Sequence, residues 1–393
     1  MIKVAFAIDA GWMGGINYYR NLLHAIALIK NRKIEPVVIV GMNTNPELLK
    51  DLPHFQVIRT SILDRFSFRW WINKMMGGNY LFNRLLKKNS IKVNSHTLHG
   101  GSTDIKTIGW IPDFQHRHLS HLFSSKEIEA RNRQFTKIAM TCTRMILSSE
   151  DARKDFESFA PSQAGKARVL SFVSIPSFEK VSNLASLQKK YGIDRPYFYV
   201  PNQFWAHKNH KVIVDAVIAL KTNYPDILVV STGATQDYRN PEYFPELNKR
   251  IDETGIMQNF KVLGIVPFQD VVGLMLNAQA MINPSLFEGW STTVEEAKSL
   301  GVPLLLSEIP VHIEQAKDTA IFFAAGDSTS LAEKIIGILE RKKMQQVTPM
   351  TAERTAINQN RLTEFGTAYQ RIVLEMMCSL PCRNKQKGFV PNE

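Results

Sequence analysis

The sequence predicts an α/β protein made of two Rossmann-like, doubly wound domains facing across a cleft. Three observations carry that expectation. Short apolar runs rich in β-branched residues alternate with helical stretches, as in parallel sheets covered on both faces. The alternation stops at a polar connection around residues 174–191 and then restarts, and 393 residues suit two ordinary domains. Several runs end in glycine or asparagine, at the strand ends where open α/β sheets bind ligands.

The elements follow in order. Val4-Ala5-Phe6-Ala7-Ile8 is apolar throughout and reads as a buried strand. It leads through Gly11, Gly14 and Gly15 into an apolar-periodic helix over 16–30. Strands are expected at 36–40, 55–59, 106–111 and 145–147, and helical stretches at 67–89 and 124–142. Gly77-Gly78 breaks the first of these helices in its middle. Beyond the connection carrying Pro176, Ser177, Ser182 and Asn183, strands are expected at 197–200, 227–231, 260–263, 280–283, 303–307 and 320–323. A helix over 208–224 lies among them, and a last amphipathic helix precedes a polar tail. The expected division is 1–175, 176–351, a helix over 352–378 and a tail over 379–393.

Composition excludes several classes. Forty-four per cent hydrophobic and 21% charged residues exclude global disorder. Cys142, Cys378 and Cys382 cannot form a disulfide framework, so a reducing compartment is expected. The N-terminal apolar run is too short for a signal peptide, and no stretch approaches the roughly 18 apolar residues of a membrane span. A cytoplasmic protein is expected, soluble or peripheral on the membrane.

The net charge of +12 is one-sided. Residues 1–175 hold 25 Lys+Arg against 13 Asp+Glu, whereas 176–393 hold 23 of each. Such an excess serves a partner of the first half more readily than general solubility. Nucleic acid is not the expected partner, because no zinc pattern, RNP-like aromatic motif or recognition-helix signal accompanies it. Segment 64–89 mixes Arg65, Arg69, Lys74, Arg84, Lys87 and Lys88 with aromatic and apolar residues. It fits either an anionic membrane surface or a helix with its apolar face on the sheet.

The strongest chemical signal is the stretch 283–297, NPSLFEGWSTTVEEA. A buried strand ends at Asn283, Gly289 lies in a turn, and a helix begins around Ser291–Thr293. The free amides and dipole of a helix start bind phosphate without a cation. Ser291, Thr292 and Thr293 add hydroxyls. Glu296, one turn in, can take both hydroxyls of a ribose, and Glu288 stands nearer a sugar. Spacing alone fits plain capping equally well, with Ser291 or Thr292 as cap and Glu295 or Glu296 as its partner.

Glu288-x7-Glu296, framed by NPSLFEGWSTTVEEAKSLGVPLLLSEIP, resembles the signature of glycosyltransferase family 4, the retaining GT-B transferases. Gly14-Gly15-Ile16-Asn17 resembles that family's N-terminal glycine loop, and residues 202–209, NQFWAHKN, its phosphate-binding segment. Val262-Leu263-Gly264 resembles the strand before its base-binding loop, and residues 110–116, WIPDFQH, a segment of bacterial surface-polysaccharide members. The resemblance implies a GT-B fold. An N-terminal domain would take the acceptor and a C-terminal domain the nucleotide-sugar donor, with the last helix crossing back. It implies that Glu296 holds the donor ribose and Glu288 contacts the donor sugar. Backbone groups of Gly289, Trp290, Ser291 and Thr292 would hold the diphosphate, and Lys208 would neutralise the leaving group. Gly15 would admit the phosphate or acceptor, and Asn17 belongs to the acceptor side.

Where the family usually has an arginine, about five residues before the lysine, this chain has Gln203. The missing charge is expected from a protonated His207 or from a basic residue of the first domain. His116 is expected to face the cleft and touch donor sugar or acceptor; Asp113 either accepts the acceptor's proton or caps a turn. Trp290 and the loops after Gly233 and Gly264 are expected to shape donor choice. No Asp-x-Asp occurs, so transfer without a divalent metal and without a cofactor is expected, from a UDP- or GDP-sugar to a glycan or lipid-linked glycan. The alternative is a nucleotide-sugar epimerase on the same fold, which needs no acceptor.

Overall fold

The computed structural model describes residues 1–8, 13–75, 78–97, 105–176, 181–340 and 351–378. The turn at Gly11, Gly77, Ser177 of the connection and the polar tail with Cys382 lie outside the described residues. Thirteen described strands form two parallel sheets. The first contains β1 (Ile2–Ala7), β2 (Ile34–Val40), β3 (Gln56–Arg59), β4 (Val93–Thr97), β5 (Lys106–Trp110), β6 (Arg144–Leu147) and β7 (Ala167–Val169). Their spatial order is β3-β2-β1-β4-β5-β6-β7. The second contains β8 (Phe198–Val200), β9 (Val229–Ser231), β10 (Phe260–Val262), β11 (Met281–Asn283), β12 (Leu304–Ser307) and β13 (Ala320–Phe323). Their order is β10-β9-β8-β11-β12-β13. Each order reverses direction once, at β1/β4 and at β8/β11. A crevice opens beyond the strand ends at such a reversal.

β4 was not expected. Its sequence, VNSHT, lacks the apolar run that marks the other strands, yet it is buried beside β1. Its polar groups are satisfied by distant partners. Tyr18 Oη and His96 Nε2 lie 2.7 Å apart, Ser95 Oγ and His96 Nδ1 lie 2.7 Å apart, and the Tyr369 hydroxyl donates to Ser95 Oγ at 2.7 Å. Burial keeps His96 neutral, with a pKa lowered to about 3.

The last helix, Ala352–Cys378, starts against the second domain and ends in the core of the first. Asn358 Nδ2 donates to the Ser299 carbonyl at 2.8 Å. Phe365, Tyr369, Ile372, Val373 and Met376 share one apolar cluster with Phe6, Tyr18, Leu22 and Ile26. A Cβ on Gly366 would stand 2.3 Å from the Ala25 carbonyl oxygen, so only glycine permits this approach.

Two expected helices differ in detail. The stretch 67–89 divides into Phe68–Met75 and Tyr80–Lys88. The helix expected from 208 begins at His210, because Asn209 takes a left-handed conformation with φ 51°. No helix among the described residues is long and apolar enough to cross a membrane.

Candidate active site at the domain cleft

The site is built where the second sheet reverses. β11 ends at Asn283, and the following loop leads into the helix Thr292–Leu300. Asn283 organises that loop from below. Its Oδ1 accepts from Ser285 N at 3.3 Å and from Asn202 Nδ2 at 3.2 Å, and its Nδ2 donates to Ser291 Oγ at 3.0 Å. Beside it, the turn Ala206–Lys208 is pinned by Leu286 N donating to the His207 carbonyl at 2.8 Å.

These two segments bring Lys208 and Glu288 together. Lys208 Nζ lies 2.5 Å from Glu288 Oε1, and Ser285 Oγ donates to the same oxygen at 2.7 Å. Both side chains are largely shielded, at 17% and 10% exposure. Burial alone would raise the Glu288 carboxyl, but the Lys208 ammonium beside it holds it down at about 2. His312 is itself buried and held neutral by that burial, its pKa lowered to about 4. Its Nδ1 meets the Ser307 carbonyl at 3.0 Å, while Nε2 has no hydrogen-bond partner.

Plain capping does not describe the helix start. Ser291 occupies the N-cap but its side chain makes no cap bond. Glu295 points elsewhere, to Gln315 Nε2 at 2.9 Å, Lys298 Nζ at 3.2 Å and the Arg361 guanidinium of the last helix. Glu296 is buried with one long hydrogen bond, from Ser174 Oγ at 3.4 Å, and burial raises its pKa to about 7. Thr292 and Thr293 remain partly open at the mouth of the helix.

The first domain meets this loop directly. A Cβ on Gly289 would stand 2.2 Å from the Pro112 carbonyl oxygen and 3.0 Å from Asp113 Cβ, so residue 289 must be glycine for the domains to touch here. Asp113 thus stands at the cleft, its Oδ1 accepting from Gln115 N at 3.0 Å. The Trp290 indole is turned away, donating from Nε1 to the Phe172 carbonyl at 2.9 Å. Gly15 is buried inside the first helix, Met13–Ala27, rather than in a loop before it. Asn17 accepts from Arg20 at 3.2 Å through its side chain, and its carbonyl accepts from Asn21 at 2.9 Å.

His116 is fully enclosed rather than open to the cleft. It packs among Phe114, Phe123 and Phe135, with Nε2 2.9 Å from Asn132 Oδ1 and Nδ1 unpartnered. Gln203 is exposed. His207 does not supply the missing charge, since burial lowers its pKa to about 3 and leaves it neutral. Arg239, on the loop after β9, adds a cation beside His207; its side chain is only 5% exposed, with Nε 3.5 Å from Asp237 Oδ1. Its guanidinium reaches His207 Nδ1 at 3.4 Å, donates to Gln115 Oε1 across the cleft at 3.0 Å, and lies over the rings of Phe123 and Trp205. Asp237 ties this loop to the lysine-bearing turn by accepting from Ala206 N at 3.2 Å. No motif marks Arg239; its place after the second strand of the second sheet was the available signal.

Two cavities adjoin these groups. One, of roughly 370 Å³, is lined from both domains, by His121, Phe123 and Glu127 on one side and Tyr238 and Arg239 on the other. The second, of roughly 340 Å³, lies at the ends of β9 and β10 among Gly233, Thr235, Gln236, Gly264 and Ile265.

The two opposed parallel sheets and the crossing helix define a GT-B fold, that of a large class of glycosyltransferases. Residues 185–354 match the family model described as Glycosyl transferases group 1. The structure of Anabaena Alr3699/HepE in complex with UDP and glucose superposes with a TM-score of 0.67 at 15% identity, covering 96% of this chain and 100% of that one. WaaG, a glycosyltransferase involved in lipopolysaccharide biosynthesis, superposes at 0.56 with 11% identity over 96% and 98%. In sequence, 144 residues are 26% identical to the O-antigen chain mannosyltransferase RfbU of Salmonella typhimurium. That segment is 36% of this chain and 38% of the relative.

Proposed function

We propose that this chain is a retaining glycosyltransferase of family 4 in bacterial surface-polysaccharide synthesis. It moves a sugar from a UDP- or GDP-sugar to a glycan or lipid-linked glycan, without a divalent metal, on the cytoplasmic side of the membrane. The observation that carries this reading is the Lys208–Glu288 pair beside the uncapped start of helix Thr292–Leu300, faced across the cleft by Pro112 and Asp113. The group 1 match over the second domain and the similarity to RfbU support it.

The roles follow from the geometry. The amides and hydroxyls of Thr292 and Thr293 receive the diphosphate, and Glu296 receives the ribose. Lys208 exchanges part of its contact with Glu288 for the leaving phosphate as Glu288 turns to the sugar. Arg239, beside His207 of the lysine-bearing turn, supplies the second cation that position 203 lacks by sharing its contact with Asp237. Asp113 stands on the acceptor side. His116 acts behind it, holding the 110–116 segment through Asn132. Closure of the cleft excludes water. Among the described residues the carboxylate paired with Lys208 is Glu288, and that tie favours front-face transfer over a covalent intermediate.

Thermal shift with UDP, GDP and their sugars identifies the donor, since a ligand bound only by the folded state raises its stability. Nucleoside diphosphate release that requires a glycan acceptor and persists in EDTA is the expected result. Release or isomerisation without acceptor would replace this reading with the epimerase.

A further inference from the structure

Within segment 64–89 of the first domain, the stretch around helix Phe68–Met75 reverses the usual order of burial, while helix Tyr80–Lys88 buries Phe82 and Leu86 in the ordinary way. Phe66, Phe68, Trp71, Met75 and Tyr80 are exposed at 77%, 80%, 46%, 84% and 50%, while Asn73 of the same helix is buried. Asn73 is fixed there by its own bonds, its Oδ1 accepting from Leu81 N at 3.0 Å and its Nδ2 donating to the Gly78 carbonyl at 2.6 Å. So the helix Phe68–Met75 is anchored by its polar side and offers its apolar side outward. The arrangement is held together, since Phe66 and Trp70 have ring centroids 5.8 Å apart and Lys74 lies over the rings of Trp70 and Trp71 at 5.0 and 5.4 Å.

The charge around this patch has one sign. Between Asp64 and Asp104 the sequence has no acidic residue, but it has Arg65, Arg69, Lys74, Arg84, Lys87, Lys88 and Lys92. The first six are exposed. A protein partner with an apolar groove would need no such uniform field. Large aromatic and sulfur side chains standing among cations match an anionic bilayer, whose headgroups attract the cations while the apolar tips enter the acyl boundary.

We infer that residues Arg65–Met75, flanked by the cations of helix Tyr80–Lys88, are a membrane-docking element that inserts its apolar tips into an anionic lipid surface. This deepens the peripheral location in the proposed function by naming the surface that makes the contact. It rests on that reading only for its biological purpose, because docking does not depend on the donor site. The second domain, 176–351, with 17 Lys+Arg against 19 Asp+Glu, plays no part in it.

Co-sedimentation with phosphatidylglycerol-containing vesicles, against pure phosphatidylcholine, tests the inference. The wild type binds the anionic vesicles, and binding weakens with salt. Phe68→Ser with Met75→Ser lowers affinity about tenfold or more at every salt. Arg65→Gln with Arg69→Gln lowers it about fivefold per charge at low salt and less at high salt. All four residues are exposed, so melting temperature and the thermal shift with UDP and GDP stay unchanged; that second readout separates failure here from failure of the transferase reading. Equal binding by wild type and Phe68→Ser/Met75→Ser, or no wild-type binding at low salt, overturns the inference. So does a wild-type dimer that Phe68→Ser dissociates, since the patch would then be an interface between two copies.

Discussion

Lys208 and Glu288 depend on each other unequally. Lys208→Met leaves a shielded carboxylate without its cation, which costs about 3 kcal/mol or more in urea unfolding. Glu288→Gln keeps the hydrogen bond from Ser285 and costs about 1 kcal/mol. Both should lower kcat about a hundredfold or more, because each removes a group aimed at developing charge. Losses below about 1 kcal/mol in both variants would show that the pair is not shielded as described. Glu296 gives a pH signature. Its pKa is raised from about 4.3 in the unfolded chain to about 7 in the fold. Its contribution is therefore fully present below about pH 4.3 and is lost as pH rises through 7, on the order of 3 kcal/mol in all. A ribose diol donates to the ionised form, so nucleotide binding releases a proton and UDP or GDP affinity rises with pH up to about 7. In Glu296→Gln both the stability loss and the affinity rise should vanish, as calorimetry across pH would report. The motif residues 283–297 were legible because strand end, turn and helix start are contiguous in sequence. Arg239 and the burial of His116 were not, because each is set by residues from elsewhere in the chain.

At the scale of elements, the strands that could be read are those whose neighbours bury both faces with side chains of their own kind. Val37, Ile39, Ile146, Ile282 and Leu305 need no particular partner, only exclusion of water, so their runs announce themselves. β4 needs named partners, since Ser95 and His96 are acceptable inside only because Tyr18 and Tyr369 reach them from 78 and 274 residues away. The last helix shows the same contrast. Its amphipathic period was legible, but its close seat on Ala25 depends on Gly366, and no local pattern reveals what a glycine will meet. Gly366→Ala should push the helix from the first domain and cost about 1–3 kcal/mol. Hydrogen exchange should then rise in 362–376 and in the facing 18–26 segment, while β8 to β13 stay protected. Uniform loss of protection in both sheets would contradict separate cores.

Across the whole molecule, the two domains meet through the last helix and through contacts around the site. Pro112 and Asp113 touch Gly289, Arg239 donates to Gln115, and Glu150 N donates to Glu314 at 2.9 Å. Just before the connection, Trp290 is wedged on Phe172. Each sheet has its own apolar clusters, so opening the cleft should not unfold either domain. Gly289→Ala tests how closure and chemistry are joined. Its new methyl would collide with the Pro112 carbonyl, which is backbone and cannot turn aside. The donor side of the cleft is otherwise unchanged, so binding of UDP or GDP should persist. The acceptor side should be displaced by about an ångström or more, a misplacement that costs about a hundredfold in transfer. Small-angle scattering should show a larger radius of gyration for the variant, with the melting profile retained. A variant as compact as the wild type and as fast would mean that the contact at 289 is incidental to closure. A compact but slow variant would place the loss in the donor loop itself rather than in domain movement.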